Sequence, residues 1–233
     1  MFHLLGCVPY SQVAALQSRL VDEALVRGDE RIIVLIGEHS PEVTVGRRGS
    51  YAHVHLDSDQ MRERGLRVRF VSRTGGCVLH GPGQLAVYPI VPLASFGWSL
   101  VDVRRKLLDA LAATLDIYRV RLQPHLPGAG LWGRSGALAV VGLGEKDGVS
   151  HHGAYLNVQP DLTDFDQIDI VPRDLVNPEV PTTMSSLAAE HRQPVKMTAL
   201  RATLVEQFSA ALGCDEPHLC TGHSGLGRST PRS

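Results

Sequence analysis

Hydrophobic residues recur along this chain with different periods, and the periods predict its elements. Val13, Leu16, Leu20 and Ala24 fall at helical spacing. Ser11 precedes them as an N-cap, and Gly28 follows as a stop. A clearer helix begins after Ser99, with Leu100, Val103, Leu107, Leu111 and Leu115 lining one face. Two more helices are predicted around 182–190 and 198–212, the latter closed by Gly213. Short apolar or β-branched runs bounded by breakers read as strands: 31–36, 43–45, 66–71, 85–92, 118–122, 130–132, 137–143 and 152–158. Residues 50–65 are polar and read as a surface excursion. Residues 159–181 are rich in Asp and Pro and read as a long loop. Strands and helices do not alternate strictly. The pattern therefore predicts an α+β domain, with a mixed β-sheet flanked by helices, over a doubly wound parallel sheet. One domain spanning 1–223 is expected, with a disordered tail from 224 to 233.

Composition narrows the partners. Net charge is −1, so no broad field draws in nucleic acid or an anionic membrane. No apolar run approaches the ~18–20 residues that span a bilayer. The first residues, Met1-Phe2-His3-Leu4-Leu5, lack a basic region and a full apolar segment, so no signal peptide is expected. Four cysteines, at 7, 77, 214 and 220, are too sparse for a disulfide scaffold, and a reducing cytoplasm is the expected setting. Cys214, His218, Cys220 and His223 lie close in sequence, but their spacing does not match the paired ligands of known zinc sites. The cluster reads as chance, and no metal or cofactor is expected. His151 and His152 are adjacent, and strand alternation would let at most one of them face any site.

The candidate chemistry is concentrated in one stretch, Arg73-Thr74-Gly75-Gly76-Cys77-Val78-Leu79-His80-Gly81-Pro82-Gly83-Gln84, between two predicted strands. Glycine permits close backbone approach and positive φ, so the stretch can form a pocket floor flanked by one cation and one imidazole. A glycine-rich hairpin with a structural histidine is the plainer alternative.

This stretch, continued by Leu85-Ala86-Val87-Tyr88-Pro89-Ile90, closely resembles the signature of lipoyl(octanoyl) transferases. Further segments are similar to that family in order and spacing. They are Gly37-Glu38-His39-x-Pro41-x-x-Thr44-x-Gly46-Arg47, Gly130-Leu131-Trp132 with 137–142, and His152-Gly153-Ala154-Tyr155-Leu156-Asn157-Val158 with Asp161-Leu162 and Phe165. The family forms of the last two are K-I-A-x-I-G and H-G-x-A-L-N-V-x-x-D-L-x-x-F. The resemblance implies the fold of lipoate and biotin protein ligases. It implies octanoyl transfer from acyl carrier protein to a lysine of a lipoyl domain of 2-oxoacid dehydrogenase or glycine cleavage proteins. It also implies an acyl pocket walled by Arg73, Gly75, Gly76, His80, Gly83 and Gln84, faced by Gly142, Gly153, Ala154 and Asn157.

The family works through a cysteine thiolate that holds the acyl group and a lysine that keeps the thiolate charged. Counted from Gly142, the lysine position is Ala137; counted from Asp161, the cysteine position is Val171. No cysteine lies between 78 and 213, so both members of the dyad are missing. Three readings follow. The first is a transferase without the dyad, using Cys77 as nucleophile or direct attack by the acceptor lysine with His80 as base. The second is a non-catalytic homologue that binds an acyl chain, carrier protein or lipoyl domain. The third is an ATP-using ligase, disfavoured by the missing lysine. Cys77 better suits a small apolar core position, and His80 suits a turn-holding role at least as well as that of a base. Arg47 and Arg48 form a basic turn suited to an acidic carrier protein, or merely a solvated one.

Overall fold

The computed structural model describes residues 1–28, 30–123, 130–170, 183–214 and 216–226. Among them, ten strands and five α-helices form two sheets with helices packed on both faces of the larger one. The strands are β1 (Phe2–Cys7), β2 (Ile33–Glu38), β3 (Glu42–Val45), β4 (Val68–Phe70), β5 (Cys77–His80), β6 (Gln84–Ile90), β7 (Gly130–Trp132), β8 (Ala137–Lys146), β9 (Val149–Asn157) and β10 (Leu219–Thr221). The helices are α1 (Tyr10–Arg27), α2 (Ser58–Glu63), α3 (Leu100–Ile117), α4 (Leu187–His191) and α5 (Met197–Leu212). The large sheet runs β10-β1-β2-β6-β9-β8-β7, and the small one β4-β3-β5. Parallel pairs (β10-β1, β1-β2) adjoin antiparallel ones (β2-β6, β6-β9, β9-β8, β8-β7), which is the mixed sheet expected from the pattern.

Two apolar clusters sandwich the large sheet. One joins Leu107, Leu111 and Leu115 of α3 to Leu200, Leu204 and Phe208 of α5 and to Leu85, Ala154 and Leu156 of the sheet. The other joins Val13, Leu16, Leu20 and Val21 of α1 to Val43 and Val45 of the small sheet and to Tyr88, Ala137 and Tyr155 of the large one. The periodic stripes on α1 and α3 are therefore their buried faces. Ser99 caps α3 as predicted, accepting from Asp102 N while Asp102 answers with a reciprocal bond. Gly28 and Gly213 close α1 and α5 in the left-handed conformation.

Several boundaries differ from the pattern. Pro9, not Ser11, stands at the start of α1, with no side-chain cap. Residues 118–122 form no strand; Arg119 turns to φ 57° and the segment leaves α3 as coil. Residues 50–65 contain α2, capped by Asp57. The first residues of the chain form β1, and residues 183–186, expected in a helix, run extended beside β8, where Met184 bridges Ala137. Ser186 then caps α4. The family's cysteine position, 171, and the tail from 227 lie outside the described residues.

Candidate functional site

The glycine-rich stretch is half strand. Residues 77–80 form β5, paired antiparallel with β3 in the register Thr44↔Val78 and Glu42↔His80. Only residues 73–76 and 81–83 are loop. The loops need glycine for steric reasons. Gly75 and Gly83 sit at φ 87° and 86°. A Cβ on Gly83 would lie 2.5 Å from Gln159 O, and one on Gly142 would lie 2.6 Å from Thr74 O. Gly76 hydrogen-bonds back to Gly46 N across the small sheet. Gly153 has no room for a Cβ either, because Val87 O lies 1.9 Å from where it would be.

The side chains of the stretch build one hydrogen-bonded chain through the interior. Arg73 Nη2 donates to Thr44 O and Thr44 Oγ1, both at 2.9 Å. Thr44 Oγ1 lies 2.8 Å from His80 Nε2, and His80 Nδ1 lies 2.9 Å from Gln84 Oε1. Gln84 Nε2 donates to Leu79 O and Asn157 Oδ1, both at 2.9 Å, and Asn157 Nδ2 donates to Ser185 O. Directions follow from the ends. Leu79 O can only accept, so Gln84 presents its oxygen to His80, and Nδ1 must carry the proton. Thr44 then donates to Nε2 and accepts from Arg73. His80, Gln84, Asn157 and Arg73 are all buried, at 2% exposure or less. Burial, followed by the nearby His39 and Arg73, holds the His80 pKa well below its ordinary value. His80 is thus a neutral imidazole whose two nitrogens are both engaged, which is the turn-holding role and not that of a ready base.

Around this chain lies a shell of buried rings. His39 contacts Val8 O through Nδ1 and Tyr88 Oη through Nε2, at 2.8 and 2.6 Å. Tyr10 stacks on His80 at 5.3 Å, and Tyr155 meets His80 at 4.7 Å between centroids and Tyr88 at 5.9 Å. The Arg73 guanidinium lies 5.8 Å from the Tyr155 ring. Among the described residues no carboxylate pairs with Arg73; carbonyls and a hydroxyl take its donors, and Nε has no partner.

Three expectations are corrected by this geometry. Ala154 does not face the site. It belongs to the α3–α5 cluster, while Tyr155, its neighbour on β9, projects to the opposite face among the rings. His151 and His152 do not diverge: their rings are 4.6 Å apart, and both line one cleft of about 500 Å³ with Gln17, Ser72 and Lys146. His152 takes φ 57°, which breaks the alternation, and its N–H turns to Gln17 Oε1. Pro89 on β6 contributes no N–H to the ladder, and regular β6–β9 pairing ends at Val87↔Ala154. Cys77 is fully buried, with its thiol toward Ser50 O, and burial raises its pKa, so it is no activated nucleophile.

At the lysine position, Ala137 is also fully buried, in the cluster that holds Cys77, Trp132, Tyr155 and Met184. Ala137 N donates to Thr183 O, and Ala137 O accepts from Ser185 N. The hydrogen-bonded chain therefore ends beside the place where the dyad is missing. Sequence reasoning passed over Thr44, Tyr155 and Glu38. Glu38 accepts from Gly83 N and pairs with Arg201 at 2.5 Å, tying the H-G-P-G turn to α5. Thr44 and Glu38 stand in a motif whose spacing was already visible. Arg47 and Arg48 are exposed on the turn that bonds to Arg73 O and Gly75 O. Among the described residues no three His, Cys, Asp or Glu side chains are placed to hold a metal ion.

Residues 9–209 match the lipoyl protein ligase A/B catalytic domain family. The octanoyltransferase of Syntrophotalea carbinolica is 33% identical over 208 residues, covering 89% of this chain and 92% of that protein. The octanoyltransferase of Chloroflexus aurantiacus is 32% identical over 209 residues, covering 88% and 91%. A putative lipoate protein ligase of T. acidophilum superposes with a TM-score of 0.68 at 18% identity, over 97% of this chain and 90% of that one. The last likeness concerns the fold, and it is the ligase-like fold that the sequence implied.

Proposed function

We propose that this chain, which belongs to the lipoyl protein ligase A/B catalytic domain family, transfers an octanoyl group from an acyl-carrier-protein thioester to a lysine of a lipoyl domain. The observation that carries the reading is the family's signature folded as one unit. Arg73, His80, Gln84 and Asn157 join four strands into a single hydrogen-bonded support, in a chain one-third identical to octanoyltransferases.

The route we propose is direct. The acceptor amine attacks the thioester carbonyl carbon, the new C–N bond forms, and the C–S bond breaks. The lysine begins as an ammonium with three N–H protons: one is released to solvent before attack, one leaves on the carrier thiol, and one stays on the amide nitrogen. No residue of this chain forms a bond with the acyl group. What the protein contributes is placement, which converts a bimolecular reaction into an effectively unimolecular one. The rigid support holds the loop 73–76, and the exposed Arg47 and Arg48 beside it suit an acidic carrier surface. The proposed setting is the cytoplasm, and the route needs no cofactor. No described helix is long and apolar enough to cross a membrane.

Intact-mass spectrometry of an apo lipoyl domain, incubated with octanoyl-carrier protein and this chain, tests the proposal. An octanoyl increment on the lipoyl domain above the no-protein control is expected. Its absence favours the second reading, a homologue that binds without reacting. That reading draws support from one observation: an apolar, fully buried Ala137 stands where the family has its lysine.

A further inference from the structure

We infer that the cleft beside His151 and His152 receives the phosphopantetheine arm on which a carrier protein presents its thioester. The inference rests on the acyl-transfer reading above and adds to it the place where the donor's arm enters.

The first support is position. The cleft, of about 500 Å³, lies between α1, residues 69–72 and the β8–β9 hairpin. Small-molecule sites commonly run from about 300 to 1,000 Å³. Ser72 lines the cleft and leads directly into Arg73 and the glycine loop 73–76. Arg47 N and Arg48 N bond to Arg73 O and Gly75 O of that loop. The cleft, the loop and the basic turn are therefore tied together.

The second support is charge. Lys146 and Arg69 line the cleft, each answered by one carboxylate: Asp22 at 2.6 Å and Glu42 at 2.7 Å. Glu145 adds a negative charge beside them. Arg47 and Arg48 are exposed, and among the described residues no carboxylate pairs with either. Burial first, then Arg47 and Lys146, lower the His151 pKa, so both cations act at the same rim. The phosphate of the arm suits this rim, and an acidic carrier surface suits the two free arginines.

The third support is the lining. Val21, Val71 and Phe70 supply apolar surface for the dimethyl carbons of the arm, and Phe70 is left 66% exposed on its edge strand. The two amides of the arm need polar partners. His152 N donates to Gln17 Oε1 at 2.7 Å, which leaves Gln17 Nε2 as a donor. That nitrogen has no partner, although Gln17 is only 3% exposed. Buried donors are nearly always satisfied. Gln17 lines the cleft with its Nε2 covered, and side chains commonly adjust on binding. An amide carbonyl seated there is the acceptor this nitrogen lacks. His152 holds the arrangement from a left-handed φ of 57°, a conformation that costs a non-glycine residue energy.

The test is calorimetric titration of this chain, without acceptor, by three probes: octanoyl-carrier protein, apo-carrier that lacks the arm, and octanoyl-coenzyme A. Wild type is expected to bind octanoyl-carrier about tenfold tighter than apo-carrier or octanoyl-coenzyme A. Ser18→Trp places an indole over the cleft from an exposed position of α1. It is expected to abolish the advantage of the armed carrier and to leave apo-carrier binding unchanged. Arg47→Glu is expected to weaken both carriers about fivefold. Circular dichroism and Tm confirm that each variant folds, with Ser18→Phe as the substitute if Ser18→Trp does not. An armed-carrier advantage that survives in the folded Ser18 variant would overturn the inference. Octanoyl-coenzyme A binding as tightly as the octanoyl-carrier would also overturn it, by assigning the cleft to the free coenzyme. Intact mass follows transfer to the lipoyl domain in parallel. If wild type transfers nothing while Ser18→Trp still removes arm-dependent binding, the transferase reading fails and the arm site stands.

Discussion

Protonating His80 would put a second proton on Nε2, so Thr44 could no longer donate its hydroxyl hydrogen there, while the Nδ1–H bond to Gln84 would remain. Two further imidazoles are kept neutral by burial. His39 is held near a pKa of about 4 and His152 near about 3, in both cases chiefly by burial; His151, Arg73 and Arg47 add repulsion at His152. An unfolded histidine titrates near 6.5. Above that value both states are neutral and these groups leave stability unchanged with pH. Below it the unfolded chain binds protons that the folded one refuses, so stability falls with pH toward the folded pKa. Between pH 7 and 5 each of the two is expected to remove roughly 2 kcal/mol. Urea denaturation at half-unit steps checks this: the midpoint should fall steadily below pH 6.5, and a level midpoint down to pH 5 would contradict it.

At the scale of elements, β8 and β9 decide what the site can do. Their alternation was legible as apolar runs, and so were the stripes on α1 and α3. Ala137 was legible as a missing lysine, because Gly142 fixes the register. The structure adds that the position is closed apolar core. A lysine returned there would bury an ammonium among Cys77, Tyr155, Trp132 and Met184. An uncompensated buried charge costs on the order of 3–5 kcal/mol. Ala137→Lys should therefore lower Tm by several degrees or more, where a variant of unchanged Tm would mean that the position opens to solvent or to a partner charge. Less legible was the face of each β9 residue. Period-2 alternation alone cannot say which parity points inward, so Ala154 was taken for a wall and Tyr155 was passed over. The bend at His152 was hidden too, since it arises from a tertiary pairing: β9 meets Pro89 on β6 and hands its N–H to Gln17 on α1. Strand β5 was concealed by its glycines, which belong to the flanking loops.

For the whole molecule, the absence of strict strand–helix alternation was enough to predict the mixed sheet, and the ligase-like fold followed from motif order. Strands β1 and β10, at one edge of the large sheet, were not foreseen. They carry none of the motif residues and pair only through contacts remote in sequence. The chain keeps the family's fold, and of the described positions weighed for catalysis the Cys77 thiol is buried and position 137 is apolar core, packed in one cluster with Tyr155. On the proposed route, acyl transfer passes from carrier to acceptor without resting on the enzyme. The most direct measurement is the intact mass of this chain itself, quenched within a single turnover of the octanoyl-carrier and lipoyl-domain reaction. Direct transfer predicts an octanoyl increment on the lipoyl domain and an unchanged mass for this chain at every time point. An octanoyl adduct on this chain that rises and decays as the lipoyl domain gains mass would contradict it.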